Sequence, residues 1–381
     1  MELNGELTDE QKIILDTFRE YCRRKIDTNY GKWLKSRVFP KWLMKDLASM
    51  FLPSIVGLDG SERMDEVTLG LISEEMGRWE FPVPAFLSVH FSKILPLVTN
   101  PEARTEFLMK FVSGDLLISG AFSEPGCGSD SGSIITTAKR KGTHYAINGE
   151  KSFISGSGIS DAMIVSAQTG ENVRGHGISL FLVNAGSEGI ERYELTSMAS
   201  MFDGDFGGIR FNEVTVPEGN LIGSENRGFN LLMHALNSQR GHVALYSLGL
   251  AERSLQDAVE HAKDRKAFGH PISKQEAVSF RLAEDWTRIE AAKLLAYKAL
   301  AMTDRGLENS AECAGVKWFG CETSFDAVSH ALQTFGASGY VTLSPIERRF
   351  RTARGFLIGD GTPDIQKLII SRKLFGREFA P

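Results

Sequence analysis

An aspartate near the C-terminus stands on a tight glycine turn that leads into a helix. Asp360 lies between Gly359 and Gly361, and Thr362 and Pro363 follow at the predicted helix start. A carboxylate at such a junction has a fixed position and backbone N–H groups beside it, which is what a general base requires. Aspartate and threonine before a helix more often serve as its N-terminal cap. The turn alone therefore predicts either a cap or a catalytic site.

A second segment combines glycines with hydroxyl side chains. Between residues 121 and 130 it contains Phe122, Ser123, Gly128 and Ser129. Glycines spaced in this way let backbone N–H groups approach an anionic or polar ligand. The same composition also marks an ordinary loop. It is not a G-x-G-x-x-G run inside a strand–helix–strand unit, which argues against a Rossmann-type site.

Two pairs of side chains could meet a ligand from regular secondary structure. Phe153 and Ser155 alternate along a predicted strand, so one face could offer a ring and a hydroxyl to a flat cofactor. Asn237 and Arg240 are three apart on a predicted helix, so an amide and a guanidinium would share one side. Taken singly, the pairs favour ordinary strand packing and a solvated helix face.

Two glycine turns end long predicted helices and carry polar side chains beside the glycines. Arg265, Phe268 and Gln275 surround the first turn, and Gln333 and Gly336 belong to the second. A helix C-terminal cap accounts for the glycines. It does not account for the arginine and the two glutamines that accompany them.

The composition argues against several classes of function. The 381 residues carry a net charge of -5, which gives no indication of nucleic-acid binding. The four cysteines are scattered, without the spacing of a zinc site or a disulfide framework, and fit a reducing compartment. No apolar run approaches the roughly 20 residues of a membrane span, and the acidic N-terminus shows no targeting signal. These features predict a cytoplasmic protein without a metal site.

The elements that must position these side chains fall into three zones. Residues 1–114 show helical periodicity, 115–225 contain short β-type runs among glycine and serine, and 226–381 show longer helical periods. We predict a mainly α protein with an N-terminal helical domain, a middle β domain and a C-terminal helical bundle. The β-type runs predict a small antiparallel barrel or sandwich. They are 134–138, 144–147, 163–166 and 178–183. The long helices are predicted over 234–263, 274–305 and 311–336.

Taken together and in this order, the segments resemble the acyl-CoA dehydrogenase family of flavoproteins. The resemblance extends from Leu7 to Arg372 and rests on six separate motifs with family-like spacing. It implies an N-terminal α-helical domain, a small middle β domain and a C-terminal four-helix bundle. It also implies FAD at their junction, an acyl-CoA substrate, an electron-transfer flavoprotein as electron acceptor and a homotetramer.

The resemblance assigns roles residue by residue. Residues at family positions that contact FAD are Phe122, Ser123, Gly128, Ser129, Phe153, Ser155, Arg265, Phe268, Gln275, Gln333, Gly336, Thr362 and Asp364. Arg240 matches an arginine near the CoA moiety, and Asn237 stands where an acidic residue is common. Ser129 belongs to the loop that borders the acyl chain. Gly359 precedes the base, where many members have a bulky side chain.

Asp360 falls on the catalytic base of the family, which is usually glutamate. The base takes the α-proton of the thioester while the β-hydrogen leaves as hydride to the flavin. Aspartate is one methylene shorter, and a displacement of roughly 1 Å can cost about 100-fold in rate. Either the backbone compensates, or a bulkier substrate brings its α-carbon closer, or the reaction is not dehydrogenation. Gly359 favours the second explanation and hence a branched or cyclic acyl group. Gln239 occupies the family's alternative base position and cannot serve as a base.

Three other functions share this fold or this site. One is a flavin-dependent oxidase or monooxygenase, although the presence of Asp360 and Arg240 speaks against it. Another is a dehydrogenase whose thioester is carried by an acyl-carrier protein rather than CoA, which Arg240 disfavours only weakly. The third is a flavin-binding scaffold that has lost turnover.

Overall fold

The computed structural model describes residues 7–58, 63–173, 175–342, 344–376 and 378–380, so the predicted absence of a targeting signal at 1–6 lies outside it. The α-helices before the sheet are α1 (Asp9–Tyr21), α2 (Tyr30–Ser36), α3 (Trp42–Met50), α4 (Leu52–Val56), α5 (Glu66–Arg78), α6 (Val83–Phe91) and α7 (Pro101–Val112). Those after it are α8 (Gly228–Asp264), α9 (Glu276–Asp304), α10 (Ser310–Phe335), α11 (Pro345–Ile358) and α12 (Pro363–Phe375). Helices therefore precede and follow a β region, in the predicted order.

The strands lie mainly between α7 and α8. They are β1 (Ile118–Ala121), β2 (Thr137–Lys141), β3 (His144–Ser155), β4 (Ala162–Val173), β5 (His176–Asn184), β6 (Ile190–Glu194), β7 (Phe206–Pro217) and β8 (Leu221–Ile222). A small hairpin of β9 (Lys266–Ala267) and β10 (His270–Pro271) separates α8 from α9.

One compact unit comprises Met1–Asn29, Asp65–Phe81 and Leu236–Pro381. Its core forms where α8, α9, α10 and α11 bury apolar side chains against one another, such as Leu248 and Val328. Helix α10 is central to this unit, because it packs against α9, α11 and α12. This arrangement fixes the position of the turn between α11 and α12.

Helix α5 joins this bundle through two close backbone contacts. A Cβ added at Gly77 would lie 1.8 Å from Tyr246 O on α8. A Cβ added at Gly249 of α8 would lie 2.1 Å from Glu74 O on α5. Distances this short are not tolerated, so only glycine lets the two helices approach so closely. The glycines thus set the depth at which α8 is packed.

The other compact unit comprises Tyr30–Met64 and Pro82–Ala235, and its centre is one eight-stranded sheet. The strand order is β6-β7-β3-β2-β4-β5-β8, with β1 beside β4. Alternate side chains of the strands form its core, among them Tyr145, Phe181 and Val214. The sheet is mainly antiparallel, but β1 and β2 each pair with β4 in parallel, which the strand pattern alone did not predict.

The long helices lie close to their predicted limits, and one predicted strand does not. Residues 134–136 precede β2 and lie outside any strand. Ile135 N and Thr136 N donate instead to the two carboxylate oxygens of Glu124, at 2.7 and 3.0 Å. A side chain therefore satisfies backbone groups that a neighbouring strand would otherwise bind. Within the described ranges, no helix is long and apolar enough to cross a membrane.

Candidate active site

The Asp360 turn joins α11 to α12 through a strained backbone. Asp360 has a φ of 54° and Gly361 a φ of 94°, both in the left-handed region. A non-glycine residue there costs conformational energy, and such strain is common at functional sites. Thr362 is the N-terminal cap residue of α12 by position, yet its side chain makes no capping hydrogen bond. The hydroxyl cap that the sequence alone favoured is not formed.

Two buried side chains hold this turn from beneath. Gln366 Nε2 donates to Asp360 O and to Gly361 O, each at 3.0 Å. Lys317 Nζ donates to Gly361 O at 2.7 Å and to Leu357 O at 3.4 Å. These contacts satisfy the backbone carbonyls of the turn and leave the Asp360 side chain to other partners.

The Asp360 carboxylate is partly buried and interacts with α8. Gln239 Nε2 donates to Asp360 Oδ2 at 3.2 Å, which restrains the carboxylate through one oxygen. Burial raises the pKa of Asp360, while Lys317, Gln239 and Arg240 lower it to a smaller extent. A raised pKa makes the ionised carboxylate a stronger base. Gln239, at the family's alternative base position, is therefore a hydrogen-bond partner of Asp360.

Arg240 and Asn237 lie on the same helix as Gln239. Arg240 is 7% exposed, and its Nε has no hydrogen-bond partner among the described residues. Burial lowers its pKa, although Asp360 opposes this effect. Asn237 Nδ2 donates to Asn309 Oδ1 at 2.8 Å, and Asn237 Oδ1 has no partner in the described chain. A buried polar atom without a partner is costly, which points to a ligand that supplies one.

Gly359 leaves open space beside Asp360. Its φ is −62° and its ψ is 156°, a conformation that any residue can adopt. A Cβ at this position would meet Gly355 O at 3.7 Å, an ordinary contact distance. The backbone therefore does not require glycine here. The missing side chain instead leaves this exposed position, immediately before Asp360 in the chain, without bulk.

In the sheet unit, the Phe122–Ser123 segment is fixed by a buried ion pair. Lys151 Nζ donates to Phe122 O at 3.0 Å and to Glu124 Oε1 at 2.9 Å. Ser152 N donates to Ser123 O at 2.9 Å. Burial lowers the pKa of Lys151 to about 8, while Glu124 opposes that shift. Gly128 and Ser129 lie on the exposed side of this loop.

Phe153 and Ser155 lie on β3, but not in a regular strand. The pairing of β3 with β7 shifts register between Lys151 and Ile154, and Phe153 has a φ of 63°. A bulge of this kind redirects a side chain away from the normal alternation. The Phe153 ring is 57% exposed as a result. The regular alternation predicted for this strand is interrupted at Phe153, and the ordinary strand packing that the pair alone favoured does not hold for this ring.

Thr362 and Asp364 lie at the start of α12, next to Asp360. Five other predicted cofactor residues lie at one end of the bundle, apart from Asp360: Arg265, Phe268, Gln275, Gln333 and Gly336. His261, just before Arg265, stacks on Phe335, just before Gly336, with ring centroids 4.2 Å apart. This contact brings the two glycine turns together. Arg240 and Arg265 are 25 residues apart on or beside α8, a separation of about 37 Å along a helix. Arg265, Phe268 and Gln333 are exposed, and Phe268 is 93% exposed.

Four residues that hold these segments were not predicted from the sequence. They are Lys317 and Gln366 beneath the turn, and Glu124 and Lys151 beneath the loop. One signal was available for Lys317, because it shares a helix face with Cys313 and Cys321 at a spacing of four residues. A lysine on such an apolar face indicates a buried charge. No group of three or more potential metal-ligating side chains occurs in the described part of the chain.

Three family models match consecutive parts of the chain. Their descriptions are Acyl-CoA dehydrogenase, N-terminal domain, over residues 8–115; middle domain, over 119–214; and C-terminal domain, over 226–375. Together they cover the helical, β and helical regions. The domain division predicted from the sequence, 1–114, 115–225 and 226–381, stays a prediction.

Individual relatives agree with these matches over nearly full length. The acyl-CoA dehydrogenase of Bacillus subtilis is 35% identical, covering 97% of this chain and 99% of the relative. The mitochondrial isobutyryl-CoA dehydrogenase of Dictyostelium discoideum is 33% identical, covering 97% and 90%. A solved structure described as the FAD complex of PigA has a TM-score of 0.90 and 26% identity, covering 98% of this chain and 99% of that chain.

Proposed function

Because this chain belongs to the acyl-CoA dehydrogenase family, we propose that it removes hydrogen from Cα and Cβ of an acyl-CoA thioester, with FAD as the hydride acceptor. The observation that carries this proposal is the Asp360 carboxylate, held on a left-handed turn with a raised pKa and hydrogen-bonded to Gln239. The FAD-containing structural neighbour supports the cofactor.

The side chains present suit FAD. Phe153 offers an exposed ring on β3, the strand that also carries Ser155, and Phe122 and Ser123 contribute a loop fixed by Lys151. At the far end of the bundle, side chains that could hold the remainder of the cofactor are exposed: Arg265, Phe268 and Gln333. We also assign contacts with FAD to Gly128, Ser129, Gln275, Gly336, Thr362 and Asp364. Bound FAD supplies the acceptor for the β-hydrogen.

Asp360 takes the α-proton in this mechanism. Gln239 restrains the carboxylate through Oδ2 and leaves Oδ1 to receive the proton. Burial raises the pKa of Asp360 and so increases its basicity. The backbone N–H of Asp360 donates to the thioester carbonyl, which increases the acidity of the α-proton. Arg240 and Asn237, each with a buried atom that lacks a partner in the described chain, bind polar groups of the CoA moiety.

The acyl group is proposed to be branched or cyclic. Asp360 reaches less far than glutamate would, so the α-carbon must lie closer to the turn. The open space at Gly359 gives room for substituents next to the reacting carbons. The similarity to an isobutyryl-CoA dehydrogenase supports this substrate class. We also assign Ser129 to binding of the acyl group.

The partners and location follow the same proposal. We assign an electron-transfer flavoprotein as the electron acceptor, a homotetramer as the assembly and the cytoplasm as the location. The exposed apolar side chains of α9, including Phe280 and Trp286, are suited to contact between subunits.

Anaerobic mixing with a panel of thioesters tests the function and the substrate class together. We expect isobutyryl-CoA or cyclohexanecarbonyl-CoA to bleach the oxidised flavin faster than butyryl-CoA or octanoyl-CoA. Much faster bleaching by the straight-chain thioesters would reject the branched or cyclic assignment. No bleaching by any thioester would reject dehydrogenation of acyl-CoA. Rapid reoxidation of the reduced flavin when air is then admitted, without an electron-transfer flavoprotein, would favour the oxidase alternative.

A further inference from the structure

A buried lysine outside the predicted site lies beneath the Asp360 turn. Lys317, on α10, is 1% exposed. Its Nζ donates hydrogen bonds to Gly361 O at 2.7 Å and to Leu357 O at 3.4 Å. One of these carbonyls precedes Asp360 in the chain and the other follows it. The ammonium group therefore bridges the two sides of the turn.

Lys317 lacks the close carboxylate partner that a buried ammonium normally has. In the part of the chain that the structure describes, no Asp or Glu oxygen lies within 4.0 Å of its Nζ. Burial lowers the pKa of Lys317, and the charge of Asp360 is among the groups that oppose this shift. Beneath the turn there is thus a lysine without a salt bridge among the described residues, and its pKa is affected by the charge of the Asp360 carboxylate.

Given the proposed role of Asp360 as the base, we propose that Lys317 is its positioning residue. Its ammonium fixes the turn through Gly361 O and Leu357 O and places a positive charge near the Asp360 carboxylate. The hydrogen bonds fix the position of the base, and the positive charge favours its ionised form. This role differs from that of the base, because Lys317 does not contact the reacting atoms.

The groups around Asp360 in this unit support an electrostatic role for Lys317. They are Gln239 and Arg240 from α8, Lys317 and Cys321 from α10, and Gln366 from α12. Lys317 lowers the pKa of Asp360 more than Gln239 or Arg240 does, against the larger opposing effect of burial. The Cys321 thiol has a pKa raised to about 11 and is neutral near pH 7. Among these groups, Lys317 therefore opposes most strongly the rise that burial causes in the pKa of Asp360.

A purely structural role for Lys317 makes a different prediction. Gln366 holds the same turn, with hydrogen bonds to Asp360 O and Gly361 O, but its amide carries no charge. Loss of either side chain would loosen the turn. Only loss of Lys317 would remove a positive charge, so Gln366→Met is the matched control for Lys317→Met.

The test measures protonation of Asp360 in the oxidised holoenzyme without substrate. Infrared difference spectra are recorded through a pH titration, and the Asp360 carboxyl band is the one that Asp360→Asn removes. In Lys317→Met we expect the titration midpoint to rise by about one pH unit or more, because a nearby opposite charge is lost. Lys317→Arg keeps the charge and should return the midpoint towards the wild-type value. Gln366→Met should leave it close to that value.

An unchanged midpoint in Lys317→Met, or an equal rise in Gln366→Met, would overturn the proposal. Lys317→Gln replaces Lys317→Met under the same criterion if the methionine variant does not fold. The acid limb of flavin reduction by the substrate should move with the infrared midpoint. The titration needs no turnover. If no acyl-CoA reduced the flavin, the proposed function would be rejected, but this measurement would remain valid.

Discussion

Burial and neighbouring cations act in opposite directions on the carboxylate of Asp360. Burial is the stronger effect, so the pKa of Asp360 in the folded protein lies above its ordinary value. The folded state then binds the proton more tightly than the unfolded state does. The ionised carboxylate consequently destabilises the folded protein, and this cost grows as the pH rises through the raised pKa. The proposed base must be ionised at a partly buried position, and its ionisation therefore lowers the free energy of unfolding.

Asp360→Asn should therefore stabilise the protein at alkaline pH. The expected gain in unfolding free energy is about 1.4 kcal/mol for each pH unit by which the pKa is raised. It should shrink as the pH falls below that pKa and vanish below the ordinary pKa of aspartate, because the carboxyl is then protonated in both the folded and the unfolded state. Chemical unfolding of both proteins between pH 4 and pH 9, at equal protein concentration, measures the difference. Asp264→Asn, at an exposed carboxylate of α8, is the control, and a constant difference for Asp360→Asn would contradict this account.

The Asp360 turn could be predicted from the sequence, but the residues that hold it could not. Asp360 lies in a motif whose local glycine turn is visible in the residues themselves. Lys317 precedes it by 43 positions and Gln366 follows it by 6, and both reach it only through the packing of α10 and α12. Tertiary partners of this kind leave little trace in local spacing. The Cys313, Lys317 and Cys321 face was the one usable signal.

At the scale of elements, α8 is positioned by its contact with α5. Gly77 and Gly249 remove side chains at two points where backbone meets backbone. Helix α8 also carries Asn237, Gln239 and Arg240, so the depth of this contact influences the site. A change in helix packing should therefore affect both stability and geometry.

Gly77→Ala should destabilise the protein by about 1–3 kcal/mol, because its Cβ would lie 1.8 Å from Tyr246 O. Gly315→Ala on α10 is the matched control, since its Cβ would meet Ile370 Cδ1 of α12 at an ordinary contact distance of 3.9 Å. An alanine there should stabilise by about 0.4–1 kcal/mol through helix propensity. Urea unfolding of both variants measures these changes. Equal stability of the two variants would show that α5 and α8 do not pack as described.

The helices were easier to predict than the β region, for a physical reason. Periodicity over 26 to 37 residues marks α8, α9 and α10, and local hydrogen bonds build them. The strands depend on distant partners. Glu124 binds the backbone at Ile135 and Thr136 and keeps it out of the sheet, and the bulge at Phe153 arises from pairing with β7.

At the scale of the whole molecule, the bundle exposes apolar side chains that one chain does not cover. On α9, Phe280 is 61%, Trp286 60% and Leu294 65% exposed. Phe280 and Leu294 are 14 residues apart, which keeps them on nearly the same helix face. Exposed apolar surface of this kind suits contact with another subunit. The long helix could be predicted from the sequence. Which of its faces is exposed could be seen only in the folded bundle.

The variant Phe280→Glu/Leu294→Glu should dissociate the proposed homotetramer into smaller species. Charges on a buried contact between subunits are costly because they lose water. Sedimentation velocity should find four times the chain mass of 42.0 kDa for the wild-type protein and less for the variant. Ile13→Glu, at a residue 67% exposed on α1, should leave the mass unchanged. A monomeric wild-type protein would reject the homotetramer.

Anaerobic reduction of the bound flavin tests the central claim, that Asp360 is the base. Wild type, Asp360→Asn and Asp360→Glu are mixed with isobutyryl-CoA, and flavin absorbance is followed. We expect Asp360→Asn to be slower by about 10²–10⁴-fold, because it cannot take the α-proton. Asp360→Glu should retain bleaching, since it keeps a carboxylate on the same turn. Bleaching of Asp360→Asn at the wild-type rate would contradict the account.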